Sequence, residues 1–580
     1  MILALTGIGV NSGIATGKVH RLAPGELEIP EYHLDEADIR SEISRLHGAV
    51  SRVEAYLNTL QVRLDEQTGK TALEFLEAHR MMLRDDMLLQ AACDRIQSGQ
   101  INAEWALASQ REFLLNEFDR MEDDYLSARR EDVDQVVQLV QRELAEQPTT
   151  LITERIPHRL EDTVVVAGSL SPADLAILHQ RKVAGLVTEH GSPWAHAAIV
   201  ARSLEIPTVV GVHRACSVLR EDERVILDGH YGVVLAGSDE AIARHYRDKQ
   251  ADTRRHRAEL NAFIQRPSRT ADSKSFSLQA NAEFPAEIER AHRTRADAVG
   301  LMRTEYLFMQ PSLPDENEQY ATYRAAVEAM GGRSVTIRTL DAGSDKLPPG
   351  LGLMPGPNPA LGLRGLRLSL SMPEIFCQQI MAILRAASHG PVRILLPMVT
   401  TCREIRRVRE LIAECRESLR TDGHKTDPDI ALGGMIEVPA AAIAIETLAE
   451  ELDFLSVGTN DLIQYLLAID RQDELVNHLY NPCHPAVLET LSRIVRVSRE
   501  RKRPLAICGE IAGDLRYSRL LLGLGFTGFS MPPARLLAVK KVLLGSHARR
   551  CREIVGRYMA GGVEGRESEL LDELENKGGG

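Results

Sequence analysis

The spacing of apolar residues divides the chain into regions of different periodicity. Between Pro30 and Pro148 there is no proline, and in the first part of this block apolar residues recur at alternating intervals of four and three. This spacing predicts helices that bury one face, because residues three and four apart lie on the same side of an α-helix. The residues that set the spacing are Ile39, Ile43, Leu46, Val50, Val53, Leu57 and Leu60.

After Pro148 the pattern changes to short apolar runs, which are typical of buried strands. Together with residues 1–24, where glycines mark turns between strands, these runs predict an α/β domain that the helical block interrupts. A charged stretch with little apolar content follows and favours a helical linker. The predicted boundaries are residues 1–24 and 148–236 for the α/β domain, 25–147 for the helical subdomain and 237–265 for the linker.

The C-terminal half has a third pattern, in which apolar runs alternate with helical spacing. Eight such units in roughly 300 residues are the number and size of a (β/α)₈ barrel. The sequence therefore predicts a multidomain α/β protein that ends in a TIM-type barrel over residues 266–575. The predicted barrel strands are residues 276–282, 298–302, 335–338, 392–398, 432–437, 454–458, 505–509 and 526–531.

Composition excludes several classes of protein. The formal net charge is −13 and no Lys/Arg run is long enough to follow a phosphate backbone, which argues against a nucleic-acid partner and favours a small basic protein. The N-terminus has no basic segment before an apolar one, and no run reaches the ~18 apolar residues of a membrane span. The eight cysteines are scattered without a Cys-x-x-Cys pair, so we expect reduced thiols and a cytoplasmic location.

His196 is the first candidate for chemistry. The apolar run 183–188 predicts a strand, Gly191 to Pro193 break it, and residues 194–204 have the spacing of a short helix that Pro207 ends. His196 then lies in a first helical turn, where free N–H groups and the helix dipole attract phosphate and disfavour imidazolium. A neutral imidazole there can act as a nucleophile towards phosphorus. A surface or packing histidine remains the alternative.

Polar residues at the predicted strand ends form the second candidate, because reactive groups of a (β/α)₈ barrel lie at this end. Arginines can bind phosphate and carboxylate groups bidentately, carboxylates can hold Mg²⁺, and a thiol can donate a proton to an enolate. The arginines are Arg303 and Arg338, with Arg364 and Arg471 as further candidates. The carboxylates are Glu437 and Asp461, and the thiol is Cys508.

Both candidates resemble sites of one known family. GSPWAH at 191–196 is similar to the phosphohistidine loop shared by the enzyme I family of the phosphoenolpyruvate:sugar phosphotransferase system and the pyruvate-phosphate dikinases, although Trp194-Ala195 replaces the usual Thr-Ser. GLMRTEYLFM at 300–309, SVGTNDLIQY at 456–465 and CGEIAGD at 508–514 resemble the enzyme I barrel. RTLDAGSDK at 338–346 does so too, with Ser344 where the family often has Gly.

The resemblance implies roles for these residues. His196 would be phosphorylated and Cys508 would be the proton donor. Glu437 and Asp461 would hold Mg²⁺. Phosphoenolpyruvate would be bound by Arg303, Arg338, Arg364, Asn460, Asp461 and Arg471.

The implied function is transfer of the phosphoryl group of phosphoenolpyruvate, through His196, to a histidine of a small phosphocarrier protein docked on the helical subdomain. This is the first step of sugar uptake by that system, and the resemblance also implies a homodimer and an α/β domain that swivels. Alternatives are a nitrogen-related paralogue, a relative of phosphoenolpyruvate synthase or the dikinases, and a silent adaptor. A dikinase needs an ATP-binding domain, and the chain has no P-loop.

Overall fold

A computed structural model describes most of the chain in two compact units, Met1–Arg255 and His256–Gly580. The described residues are 3–11, 13–22, 29–63, 79–85, 87–119, 124–145, 159–191, 196–308, 313–343, 358, 360–426, 429–470, 473, 475–562 and 565–579.

The strands are β1 (Leu3–Thr6), β2 (Ile8–Gly9), β3 (Ile14–Leu22), β4 (Thr163–Ala167), β5 (Gly185–Thr188), β6 (Thr208–Val210), β7 (Arg224–Asp228), β8 (Val233–Ala236), β9 (Ser277–Ala282), β10 (Ala298–Met302), β11 (Val335–Arg338), β12 (Val392–Leu396), β13 (Ala431–Ile436), β14 (Phe454–Gly458), β15 (Leu505–Cys508) and β16 (Gly528–Met531).

The helices of the first unit are α1 (Ile39–Arg63), α2 (Leu89–Gly99), α3 (Ala103–Asp119), α4 (Asp124–Leu144), α5 (Pro172–Gln180), α6 (His196–Ser203) and α7 (Ala215–Val218), followed by α8 (Glu240–Asn261), which contains the boundary between the units. Those of the second unit are α9 (Pro285–Arg293), α10 (Glu305–Phe308), α11 (Glu316–Ala329), α12 (Gly365–Ser371), α13 (Pro373–Ala386), α14 (Cys402–Thr421), α15 (Pro439–Ile443), α16 (Ile445–Glu451), α17 (Thr459–Leu467), α18 (Pro485–Glu500), α19 (Glu510–Gly513), α20 (Leu515–Leu524), α21 (Leu536–Leu544), α22 (Ala548–Gly561) and α23 (Glu567–Lys577).

The first unit contains an eight-stranded sheet with the order β1-β8-β7-β3-β4-β5-β6-β2. Strands β3 to β6 pair in parallel, and β7 and β8 add antiparallel strands beside β3. Helices α1 to α4 lie in the chain between β3 and β4, although these two strands are direct neighbours in the sheet. The α/β architecture with a helical insertion is therefore confirmed.

The helical insertion buries the face that its spacing predicts. Leu46, Val50, Val53 and Leu57 of α1 are buried, and they belong to a cluster that continues into β4 and β5. Burial of this apolar stripe is what holds the helices together.

The second unit is a closed barrel of eight parallel strands, in which each strand pairs with the next and β16 pairs with β9. The strands are nearly all buried, as expected when helices cover the outside and side chains fill the inside. Gly433 lets the chain pass the Phe454 ring, since a Cβ at Gly433 would lie 2.3 Å from a ring carbon. The predicted barrel is confirmed, and α8 forms within the predicted helical linker.

Among the described residues, no helix combines the length and the apolar character needed to cross a membrane.

Arg45 ties three helices of the insertion together. Its guanidinium donates to Glu42 at 2.7 Å, to Glu104 at 2.6 Å and to the carbonyl of Leu144 at 3.1 Å. Both carboxylates are buried, with side-chain exposures of 9% and 6%. Removal of the guanidinium would leave them without a counter-charge.

We predict that Arg45→Met lowers the local free energy of unfolding of α1 and α3 by about 2 kcal/mol, less than for a fully buried pair because Arg45 is 35% exposed. Native-state hydrogen exchange of these helices measures it. The control is Arg52→Met, whose 56% exposed side chain pairs with Glu143 and should cost less than about 1 kcal/mol. Equal losses in the two variants would contradict this account.

Candidate active site

The C-terminal ends of the barrel strands carry the charged side chains that the sequence singles out. Arg303 directly follows β10, Arg338 ends β11, and Cys508 ends β15. The other predicted residues at this end are Arg364, at the start of α12, Glu437, directly after β13, and Asn460 and Asp461, in the first turn of α17.

Asp341 is the residue around which the arginines are arranged. Its Oδ2 lies 2.9 Å from Nη1 of Arg338, and its Oδ1 lies 3.1 Å from Nη2 of Arg364. Glu305 Oε1 accepts a hydrogen bond from Arg338 Nη2 at 2.9 Å and another from the backbone N–H of Asp341 at 3.0 Å. Two guanidinium groups are thus held in fixed positions by two carboxylates.

Both arginines remain charged in spite of their burial. Burial works to lower the pKa of Arg338, but the charges of Glu305 and Asp341 outweigh it and the pKa is raised. The same balance, with Asp341 as the leading opposing charge, raises the pKa of Arg364. Arg364 also donates to the hydroxyl of Tyr465 at 3.3 Å. These are permanent positive charges with planar donors, suited to phosphate and carboxylate ligands.

Glu437 is placed by an unusual turn after β12. Met398 has φ of 53°, in the left-handed region that side chains rarely adopt, and its backbone N–H donates to Glu437 Oε1 at 2.7 Å. Burial, followed by the charges of Asp341 and Asp461, raises the pKa of Glu437 to about 8. A buried carboxylate beside two others is a group that a nearby cation would stabilise in its charged form.

The three carboxylates Asp341, Glu437 and Asp461 each offer an oxygen atom, and these atoms lie within 4.8 Å of one another. Mg²⁺ prefers oxygen ligands and commonly takes one or two carboxylates together with substrate oxygens. Asp341 already neutralises two arginines, whereas Asp461 lies 3.9 Å from Arg364, its nearest arginine among the described residues. The donor set therefore fits Mg²⁺, with Glu437 and Asp461 as the better ligands.

The thiol of Cys508 is fully buried inside the barrel mouth. Its Sγ lies 3.3 Å from Ser456 Oγ and 3.2 Å from the carbonyl oxygen of Val457. Burial raises the pKa of Cys508 to about 11, although the hydrogen bond with Ser456 opposes the shift. At neutral pH this group is a thiol with a proton to give.

Asn460 is held by the segment that follows Cys508. Its Oδ1 accepts a hydrogen bond from the backbone N–H of Glu510 at 2.9 Å, and its Nδ2 donates to Glu510 Oε1 at 3.3 Å. Gly509, which lies between Cys508 and Glu510, has φ of 105°, and a Cβ there would lie 2.2 Å from Thr459 Oγ1. Only glycine lets these two strand ends approach so closely.

Arg303 is more exposed than Arg338 and Arg364, with 43% of its side chain accessible. Its Nη1 lies 3.8 Å from Glu283 Oε2, and its charge acts to lower the pKa of Cys508. Arg303 therefore belongs to the same electrostatic environment as the thiol. Arg471 lies outside the described residues.

In the first unit, His196 lies in the first turn of α6, as the sequence predicts. The side chain of His196 and residues 192–195 lie outside the described part of the chain. Gly191, with φ of 119°, is the last described residue before His196.

Glu305 and Asp341 each lie three residues after the end of a predicted strand, at 298–302 and 335–338, but no role was predicted for them. Their position, three residues after a predicted strand end, is the signal that could have assigned them to this site. Tyr465 and the backbone of Met398 gave no signal, because their contacts join residues 101 and 39 positions apart in the chain.

Three family models match consecutive parts of the chain. The model described as the N-terminal region of the phosphoenolpyruvate-utilising enzymes matches residues 6–129, and the mobile-domain model of the same enzymes matches residues 160–232. Their phosphoenolpyruvate-binding domain matches residues 257–548, which contain all the described strand-end residues named above.

Curated relatives resemble the chain over nearly its whole length. A protein of Cupriavidus necator named phosphoenolpyruvate-protein phosphotransferase is 41% identical over 569 residues, which are 96% of this chain and 97% of that protein. Proteins of the same name from Staphylococcus carnosus and Bacillus subtilis are 33% and 34% identical. These alignments cover 99% of this chain and 99% of the first protein, and 92% of this chain and 93% of the second.

We predict that Cys508 stays protonated well above the ordinary pKa of a thiol. At pH ~9.5 a thiol of ordinary pKa is mostly ionised, whereas one with a pKa of about 11 is only a few per cent thiolate. The ultraviolet absorbance of thiolate, compared between the wild type and Cys508→Ser, should therefore show no difference at that pH. A difference of one thiolate with a midpoint near pH ~8.5 would contradict the burial of this group.

Proposed function

Because the chain belongs to the family of phosphoenolpyruvate-utilising enzymes, we propose that it transfers the phosphoryl group of phosphoenolpyruvate to a protein by way of a phosphohistidine at His196. The observation that carries this proposal is the cluster of Arg338, Arg364 and Asp341 at the strand ends of the barrel. The cluster lies in the segment that the phosphoenolpyruvate-binding model matches, and relatives aligned over nearly the full length are named for this activity.

Arg338 and Arg364 bind the phosphate and carboxylate groups of the substrate. Their guanidinium planes are fixed by Asp341 before the substrate arrives, so little side-chain entropy is lost on binding. Arg303, which is more exposed, adds a third positive charge to those of Arg338 and Arg364. Asn460 and Arg471 contribute further contacts to the substrate.

Glu437 and Asp461 would hold the Mg²⁺ ion of this site, since both offer the oxygen ligands that Mg²⁺ prefers. Bound there, the ion would stabilise the negative charge that develops on the enolate oxygen.

Cys508 supplies the proton that completes the first half-reaction. The bond between phosphorus and the enol oxygen breaks as a bond from an imidazole nitrogen of His196 to phosphorus forms. The enolate carbon then takes the Cys508 proton to give pyruvate, and the thiolate is reprotonated from solvent. The raised pKa of Cys508 keeps this proton available at neutral pH.

The second half-reaction passes the phosphoryl group from His196 to a histidine of a small phosphocarrier protein. We assign the carrier-binding role to residues 25–147, the phosphohistidine domain to 1–24 and 148–236, and the substrate barrel to 266–575, with 237–265 as the linker about which the phosphohistidine domain swivels. The barrel is also assigned the homodimer contact. The cysteines are free thiols, which supports a cytoplasmic location. Sugar uptake is the process that we assign to the enzyme from its resemblance to the enzyme I family.

A nitrogen-related paralogue remains the alternative. Enzymes of the sugar branch and the nitrogen branch carry out the same chemistry and differ in the phosphocarrier protein that they serve. The dikinase alternative is less favoured. The stretches of this chain that the three family models leave unmatched are residues 1–5, 130–159, 233–256 and 549–580, and each is shorter than an ordinary domain.

The proposed activity predicts a single acid-labile phosphoryl adduct when the protein is mixed with phosphoenolpyruvate and Mg²⁺ in the absence of nucleotide. Intact mass spectrometry detects it. A requirement for ATP would support the dikinase alternative, and the absence of any adduct would support a silent adaptor.

Two variants assign the roles of the residues. His196→Ala should abolish the adduct but still bind phosphoenolpyruvate, which calorimetry measures. Cys508→Ser should bind phosphoenolpyruvate and release pyruvate at least about 100-fold more slowly, as expected for the loss of a general acid. Full turnover in Cys508→Ser would refute its role as proton donor.

A further inference from the structure

A chain of buried polar side chains lies behind the strand ends of the barrel. It is built from Gln319 and Tyr323 of α11, Gln379 of α13, and Thr304, which directly follows Arg303. All four side chains are almost completely buried, with exposures of 0% or 1%. Buried polar groups of this kind are costly unless each is satisfied, so the network specifies one arrangement.

Gln379 is the centre of the network. Its Oε1 accepts a hydrogen bond from the backbone N–H of Leu340 at 3.0 Å. Its Nε2 donates to Thr304 Oγ1 at 3.2 Å and to the hydroxyl of Tyr323 at 3.1 Å. One amide thus uses both its acceptor and its donors, and it links α13 to two strand ends.

These hydrogen bonds hold the backbone at Arg338 and just after it. Thr304 Oγ1 donates to the carbonyl oxygen of Arg338 at 3.0 Å, and Gln379 holds the N–H two residues further on. Asp341 comes next in the chain, and Glu305 comes directly after Thr304. The network therefore anchors the backbone at Arg338 and at Leu340, directly before Asp341, and it holds the side chain of Thr304, directly before Glu305.

We infer that Gln379 is a positioning residue for substrate binding: through the N–H of Leu340 and the hydroxyl of Thr304 it fixes the backbone that aims Arg338 and Asp341 into the barrel mouth. This inference rests on the proposed function, since Arg338 is taken to bind phosphoenolpyruvate. A small displacement of a charged donor matters because bidentate contacts to phosphate or carboxylate depend strongly on geometry.

The outer part of the network ends away from the site. Tyr323 donates to Gln319 Oε1 at 3.2 Å, and Gln319 Nε2 donates to the carbonyl oxygen of Pro314 at 3.1 Å. Burial raises the pKa of Tyr323, so its hydroxyl stays neutral and can both accept from Gln379 and donate to Gln319. Gln319 thus has the burial of Gln379 and a similar set of hydrogen bonds, without a bond to the strand ends.

The test compares Gln379→Met with Gln319→Met in the full-length protein. Methionine has nearly the length of glutamine but cannot replace its hydrogen bonds, so both variants should lose similar thermal stability. We expect Gln379→Met to raise the KM for phosphoenolpyruvate about tenfold or more with a smaller change in kcat, and Gln319→Met to leave KM within about twofold. Calorimetric affinity for phosphoenolpyruvate with Mg²⁺ should show the same split.

An equal effect of both variants on KM, or an unchanged KM in folded Gln379→Met, would overturn the positioning role. If Gln379→Met does not fold, Thr304→Val removes the bond to the Arg338 carbonyl with little change of shape, and it should raise KM in the same direction. Failure of the proposed function is distinguishable, because the wild-type protein would then form no phosphoryl adduct with phosphoenolpyruvate.

Discussion

One carboxylate shared by two guanidinium groups is the interaction on which the barrel mouth depends. Asp341 pairs with Arg338 from its own strand end and with Arg364 from the start of α12. Removal of one partner from a buried pair typically costs about 3–5 kcal/mol, since it leaves an uncompensated charge. The end of β11 and the start of α12 are therefore held together by a contact that also creates a cationic surface for an anionic substrate.

The same carboxylate shapes the chemistry of its neighbours. The charges of Asp341 and Asp461 add to burial in raising the pKa of Glu437, so the site favours a divalent cation beside the arginines. Across the mouth, burial keeps the Cys508 thiol protonated. A cation, fixed arginines and an available proton are the three requirements for cleaving an enol phosphate and protonating the enolate. The arrangement of charges at the strand ends thus accounts for the proposed half-reaction.

Much of the barrel fold could be predicted from the sequence, because buried strands appear as short runs of apolar residues. The predicted strand at 454–458 matches β14, and the predicted strand at 392–398 is two residues too long. The strand ends at Leu396 for a physical reason: Pro397 lacks an N–H, and the backbone of Met398 turns to a positive φ so that its N–H reaches Glu437. The role of Gln379 could not be predicted, since its contacts join residues 39 and 75 positions away and leave no periodic pattern.

Affinity for phosphoenolpyruvate in the presence of Mg²⁺ is the most direct test of the central claim, measured by calorimetry in a His196→Ala background that prevents turnover. Asp341→Asn keeps the shape of the side chain but cannot neutralise both arginines. The account predicts that this substitution weakens binding by about tenfold to a hundredfold, while the fold of the barrel, followed by circular dichroism, is retained. Unchanged affinity in the folded Asp341→Asn variant would contradict it.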